Sequence, residues 1–171
     1  LRRQAIGIIN IILARHYSLS LNFLLDESLA LLKDVLKKPA EEVKKDILEF
    51  FKGRFQNQLI AQGYAYDTVD AVLSTDIDDF PLVIEKVKAL QDFRLNPEFE
   101  PISVAFKRVD NILKDFHEGQ VDVNLLNHEA EIKLFSALDN IKTRVEKGLA
   151  EKDFNTALNK LAALRPPVDD F

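Results

Sequence analysis

Cysteine, methionine and tryptophan are absent from this chain of 171 residues, and glycine (5) and proline (6) are scarce. Each lack removes a class of function. Without cysteine there is no disulfide framework, no thiolate nucleophile and no cysteine-ligated zinc. The five glycines stand singly, so no glycine-rich loop is available to cradle a phosphate. No apolar run reaches the roughly 18–20 residues that a bilayer span requires. The longest, Ile6 to Leu13, is broken by Gly7 and Asn10, is flanked by Arg2, Arg3 and Arg15, and lacks the small-residue cleavage site of a signal peptide. A soluble, cytoplasmic protein that binds no membrane is expected. A sequence that begins at Leu1 and contains no Met also reads as a fragment.

Positive charge is the next shortage: 23 Lys and Arg face 28 Asp and Glu, a formal net charge of −5. Non-specific nucleic-acid binders carry a basic excess, because neutralising phosphates releases counterions. This chain is therefore no general polyanion binder, although it can recognise one RNA if its cations gather on one face. The charges are unevenly spread. Asp67, Asp70, Asp76, Asp78 and Asp79 share a stretch without Lys or Arg, whereas cations gather in Lys33 to Arg54 and at Lys107, Arg108 and Lys114. The plain reading of any one such cluster is a solvated helix face.

Chemistry-bearing patterns are equally sparse. His16, His117 and His128 form no H-E-x-x-H pair and lie at no metal-ligand spacing. They read as surface or helix-end residues, with His117 near a helix C-terminus. Asp76, Asp78 and Asp79 resemble the opening of a calcium loop, but the central Gly is missing and Val87 stands where the closing Glu belongs. Neither a catalytic centre nor a metal site is expected.

What the sequence does have is helical periodicity almost throughout. A first helix runs to about Arg15 and a second from about Asp26 to Lys37. Pro39 suits the first position of a third, with Glu41 and Glu42 in its first turn. That helix shows Val43, Ile47, Phe51, Phe55 and Leu59 stepping by four, and Gly63 is placed to end it. Asp67 is expected to cap a short helix with Val69, Val72 and Leu73, and another follows Pro81 with Val83, Val87 and Leu90 inward. Asn96 to Pro101 carries two prolines and breaks the period. Beyond it, Ile102, Phe106, Val109, Leu113 and Phe116 make an inward stripe ending before Gly119. Leu134, Leu138, Ile141 and Val145 mark a helix closing at Gly148. Asp153 caps a last one holding Leu158 and Leu161, stopped by Pro166 and Pro167. The fold class is all-α: two small helical bundles joined by a short proline-containing linker.

The stripe from Ile102 to Phe116 leaves Lys107, Asn111 and Lys114 on the opposite face at i, i+4 and i+7, with Arg108 flanking. Two ammonium groups can contact phosphates, and the amide between them can bond a base edge. A solvated face, with Asp110 nearby, is the competing reading.

Several stretches together resemble the bacterial glycyl-tRNA synthetase β subunit, C-terminal region. Leu1-Arg2-Arg3-Gln4-Ala5-Ile6-Gly7-Ile8 resembles that family's L-R-R-x-A-x-G-[IV] helix, which closes an HD-like domain. Phe50-Phe51-Lys52-Gly53-Arg54-Phe55 and Gly63-Tyr64-Ala65-Tyr66-Asp67 resemble its F-F-x-x-R-[LF] and G-[YF]-x-x-D signatures, continued by Asp70 to Leu73. Lys107-Arg108-Val109-Asp110-Asn111-Ile112 resembles its K-R-[VI]-x-N-[IL] helix, and Leu164 to Phe171 its L-x-P-[PA]-[VI]-D-x-F-F block. The likeness runs in order along nearly the whole chain.

The resemblance implies an α2β2 glycine–tRNA ligase that attaches glycine to its tRNA using ATP and magnesium, with catalysis in the α subunit and tRNA gripped by β. It implies that residues 1–95 are a helical linking domain, starting with the end of the HD-like domain. Residues 96–171 would be a helical domain similar to the anticodon-binding domain of arginyl-type synthetases. The family pattern continues past Phe171, so that domain is expected to be truncated. The tRNA contacts implied are Lys107, Arg108, Asn111 and Lys114, with Arg54 as a further candidate and no cofactor bound by this stretch. Tyr64 and Tyr66 suit packing in the turn before Asp67 better than stacking on a base. A non-catalytic protein–protein interaction or scaffold module is the alternative, and a stand-alone enzyme the more distant one.

Overall fold

The computed structural model describes residues 1–171 except Asp115, His117, Glu118 and Gln120. Among them the chain is all-α. Its helices are α1 (Arg2–Ala14), α2 (Leu21–Leu31), α3 (Ala40–Ala61), α4 (Tyr66–Leu73), α5 (Phe80–Phe93), α6 (Phe99–Ile112), α7 (Glu129–Ala150), α8 (Phe154–Ala162) and α9 (Arg165–Asp170). Short 3-10 turns lie at Lys33–Val35 and Val123–Leu125. Contacts divide the chain into two compact units, Leu1–Gln91 and Asp92–Phe171.

In the first unit the four-residue step along α3 puts Phe51, Phe55 and Leu59 on one buried face. Around it close Ala5, Ile9 and Ile12 of α1, Leu21 and Leu25 of α2, and Val69, Val72 and Leu73 of α4. Phe80, Val83 and Val87 of α5 complete the core. Phe55 meets the Phe80 ring edge-on at 4.9 Å and 72°. Burying one such side chain contributes about 1.5–3 kcal/mol.

Three helices end alike. Gly63 (φ 97°), His16 (φ 52°) and Lys152 (φ 59°) each sit one residue past a helix cap in the left-handed region. In each case the next amide folds back: Tyr64 to the Leu59 carbonyl, Tyr17 to Ile12 and Asp153 to Gly148, at 3.2, 3.1 and 2.8 Å. These are Schellman ends. Only Gly63 is a glycine, and only that end is foreseeable from composition.

Several boundaries differ from expectation, and the reasons are local. α2 begins at Leu21 rather than about Asp26, because its N-terminus is capped twice. The Ser20 hydroxyl accepts from the Phe23 amide at 3.0 Å, and the Asp78 carboxylate accepts from the Asn22 amide at 2.7 Å. Ser20 and the Asn22 carboxamide also donate to Asp78, and Ser18 donates to Asp79. Asp79 in turn accepts from the Leu82 amide in the first turn of α5. Pro39 is the N-cap of α3, one residue before the expected position. Asp67 lies inside the first turn of α4 instead of capping it.

The second unit is thinner. Its buried cluster is Phe93, Ile102, Ala162 and Leu164, with Phe99, Ala137, Ile141, Leu158, Leu161 and Val168 packed around it. α7 does not close at Gly148 but continues to Ala150. Gly148 is buried because α8 passes close there: an added Cβ would lie 3.2 Å from the Asp153 carbonyl oxygen and 3.3 Å from the Ala157 Cβ. Leu138, expected inward, is 46% exposed. Asp153 caps α8 through the Thr156 amide at 3.0 Å, as its position implies. Pro166 and Pro167 open a further short helix, α9, where their fixed φ is suited to the first turn. The expected placement of His117 lies outside the described residues.

Burial alone would raise the Asp78 pKa, but hydrogen bonds from Asn22 and Ser20, with Lys44 nearby, outweigh it and hold the carboxyl below its usual range. The unfolded chain therefore takes up that proton more readily. The stabilisation is complete above the ordinary aspartate range and disappears as pH falls through the folded value. Asp78→Asn is expected to lower the urea midpoint at neutral pH, the gap to the parent narrowing as the solution is acidified. Phe55→Ala should destabilise the first unit by about 3–5 kcal/mol in the same measurement.

Candidate nucleic-acid interface

α6 carries two of the four cationic candidates, Lys107 and Arg108. Pro101 and Glu100 lie in its first turn, where a missing N–H costs nothing and a negative charge is favoured. Ile102 and Ala105 are its fully buried residues, and Val109 is half-buried. The inward stripe expected through Phe106, Leu113 and Phe116 is not covered: these are 42%, 48% and 63% exposed. Their helical spacing is right for Phe106, yet the helix ends at Ile112 and Leu113 is its C-cap. Past Ala105 too little of the unit packs against that side to bury it.

Lys107 and Asn111 stand one turn apart on the solvent face, and both are exposed. Lys114 is exposed in the turn beyond the C-cap, where the helix repeat no longer fixes its side. No ion pair to Lys107 or Lys114 is present among the described residues. Arg108 is placed differently. Its guanidinium donates to the Asp169 carboxylate at 3.0 Å and to the Val168 carbonyl at 3.3 Å, bracing α6 against α9. Arg165 of α9 donates to Asp169 at 3.3 Å and to Glu98, at the start of α6, at 3.0 Å.

Arg54 belongs to the other unit and is not gathered with these residues. It sits on α3, half-buried, with its guanidinium 4.8 Å from the centre of the Phe50 ring. Its Nε is buried with no hydrogen-bond partner, as is the Gln58 Oε1 one turn on; the Gln58 amide donates to Asn10 of α1 at 2.9 Å. This is packing and cation–π contact within the first unit. Tyr64 is half-buried against the core, whereas Tyr66 is 63% exposed.

Two features escaped sequence reasoning. A groove of about 470 Å³ runs between α6, α7 and α9, lined by Arg108, Val109, Ile112, Leu113, Leu134, Val168, Asp169 and Phe171. The chain Glu98–Arg165–Asp169–Arg108 was also invisible, because its bonded partners lie up to 67 positions apart. Among the described residues no three His, Asp or Glu side chains converge to hold a metal ion. No helix among them is long and apolar enough to cross a membrane.

Known sequences give the class. The sequence pattern of the family described as "Glycyl-tRNA synthetase beta subunit" matches residues 1–74. The whole chain is 47% identical over 171 residues to the glycine–tRNA ligase beta subunit of Syntrophus aciditrophicus. It is 48% identical over 169 residues to that of Syntrophotalea carbinolica and 45% identical over 171 to that of Geobacter metallireducens. In each case it spans 25% of the relative's length. An all-helical stretch of an aminoacyl-tRNA synthetase subunit is thereby defined. The chain belongs to the glycyl-tRNA synthetase β-subunit family and corresponds to about a quarter of such a subunit.

Arg54→Met removes a cation–π contact and a buried unpaired N–H together. It should shift the unfolding free energy of the first unit by no more than about 1 kcal/mol. If the complete polypeptide binds tRNA, the salt dependence of that binding should be unchanged; a slope reduced by one contact would make Arg54 a phosphate contact.

Proposed function

We propose that this chain is a non-catalytic, tRNA-binding stretch of a heterotetrameric glycine–tRNA ligase, in which Lys107, Asn111 and Lys114 contact the RNA. The observation that carries the reading is the placement of these three residues. Two cations without ion-pair partners among the described residues and an exposed amide lie on the solvent side of α6 and in the turn that follows it. Acidic residues outnumber basic ones in the chain as a whole, so binding depends on this local arrangement and not on net charge. In this reading residues 96–171 form an anticodon-binding-like domain and residues 1–95 a linking one. The complete enzyme is an α2β2 assembly in the cytoplasm that uses ATP and magnesium bound outside this stretch. Arg108 acts through α9.

A second reading, a helical docking module, is favoured by one observation. Ile112, Leu113 and Phe171 are all largely exposed along the groove of the second unit. The two readings use opposite sides of α6 and separate by charge.

Lys107→Glu with Lys114→Glu is expected to leave helical content intact, since neither side chain is buried. In the complete polypeptide it should weaken binding to glycine tRNA and lower the slope of log affinity against log salt by about two. Unchanged affinity and slope would remove α6 from the interface and leave the docking reading.

A further inference from the structure

Glu98, Arg165, Asp169 and Arg108 alternate in sign and are linked in series by contacts of 3.0, 3.3 and 3.0 Å. The two outer members are both on or beside α6: Glu98 is its N-cap and Arg108 lies ten positions further along. The two inner members lie one turn apart on α9. α9 therefore grips α6 at two points. α9 is also the helix on which α6 packs most extensively. Apolar burial fixes only the first half of α6, at Ile102 and Ala105. From Phe106 onward, the Arg108 pairing and the half-buried Val109 are what hold it.

The acid in this chain is badly placed for any scheme in which charge alone matters. Asp169 neutralises the arginine next to Lys107 and would repel a nearby phosphate. An RNA-binding face that needed only positive potential would be better without it.

We propose that Asp169 and Arg165 are positioning residues for RNA recognition: through Arg108 and Glu98 they fix the axis and rotation of α6, so that Lys107 and Asn111 meet the RNA in register. The inference rests on the RNA-facing reading of α6 and assigns Arg108 to the brace instead of to a phosphate. Each exposed pair contributes little to global stability. What the series supplies is the orientation of a helix that has few other constraints.

The test uses Asp169→Asn and Arg108→Gln, singly and together, in the complete polypeptide. It is read by glycine-tRNA binding across a salt series and by segment-resolved amide exchange. With Asp169→Asn, α6 should exchange faster while α7 and α8 keep their protection, and RNA affinity should fall roughly three- to tenfold. Arg108→Gln should give a similar loss, and the double variant little more, because both break the Arg108–Asp169 contact. Removing a negative charge without a positioning effect predicts the opposite sign: tighter binding with a steeper salt slope. That outcome, unchanged affinity, or additive losses would overturn the proposal. If Lys107→Glu with Lys114→Glu still weakens binding, only the positioning role has failed. If that pair has no effect, the RNA reading fails and takes this inference with it.

Discussion

A helix leaves its first amides and last carbonyls without partners inside the helix, and burying them unpaired is costly. In a chain cut into many short helices this requirement recurs every ten to twenty residues or so, and it shows in where several helices here start and stop. The C-terminal ends of α1, α3 and α7 are closed by the same back-folded amides at His16–Tyr17, Gly63–Tyr64 and Lys152–Asp153. The N-terminal ends of α2, α5 and α8 are closed by Ser20 with Asp78, by Asp79 and by Asp153. The acidic turn before α5 thereby serves two helix starts at once, tying elements almost sixty positions apart. Core packing then follows: once α2 and α5 are held at their N-termini, Leu21, Leu25, Phe80 and Val83 have little choice but to face α3.

The class of fold and most of its first unit were legible in the sequence because the information there is local. The four-residue step from Phe51 to Leu59, the glycine after α3 and the Asp153 cap each follow from neighbours within one or two turns. What could not be read depends on distance. The early start of α2 is dictated by Asp78, whose stretch of acids reads as solvated surface until the turn is seen. The left-handed His16 and Lys152 carry no compositional sign, since any residue can occupy that conformation at some cost. Gly148 looks like a terminator and is instead a close-packing residue against Ala157.

The candidate interface divides in the same way. Lys107 and Asn111 share a face because the helix repeat requires it, whereas the loss of Arg108 to Asp169 needs α9 to be in place. The expected apolar stripe on α6 was right in spacing and wrong in burial. Periodicity identifies the side of a helix that can be covered, not whether the rest of the unit has enough mass to cover it. A six-residue α9 has not. The result is a helix with a cationic side, an uncovered apolar side and electrostatic guy-lines between them, so polar contacts carry a share of its placement that a full core would otherwise take.

The hairpin of α7 and α8 has a consequence in time. A left-handed Lys152 and the Asp153 cap reverse the chain within two residues, and Gly148 lets the second helix settle on the first at once. Contacts so near in sequence cost little loop entropy, and such local hairpins order on fast timescales. α6, by contrast, finds its main partner some sixty residues later in α9. During synthesis α7 and α8 can pair while α9 is still unmade, leaving α6 waiting on the last residues of this stretch. Assembly of the second unit thus starts from its middle, and the helix proposed to touch RNA is the last to acquire its final pose.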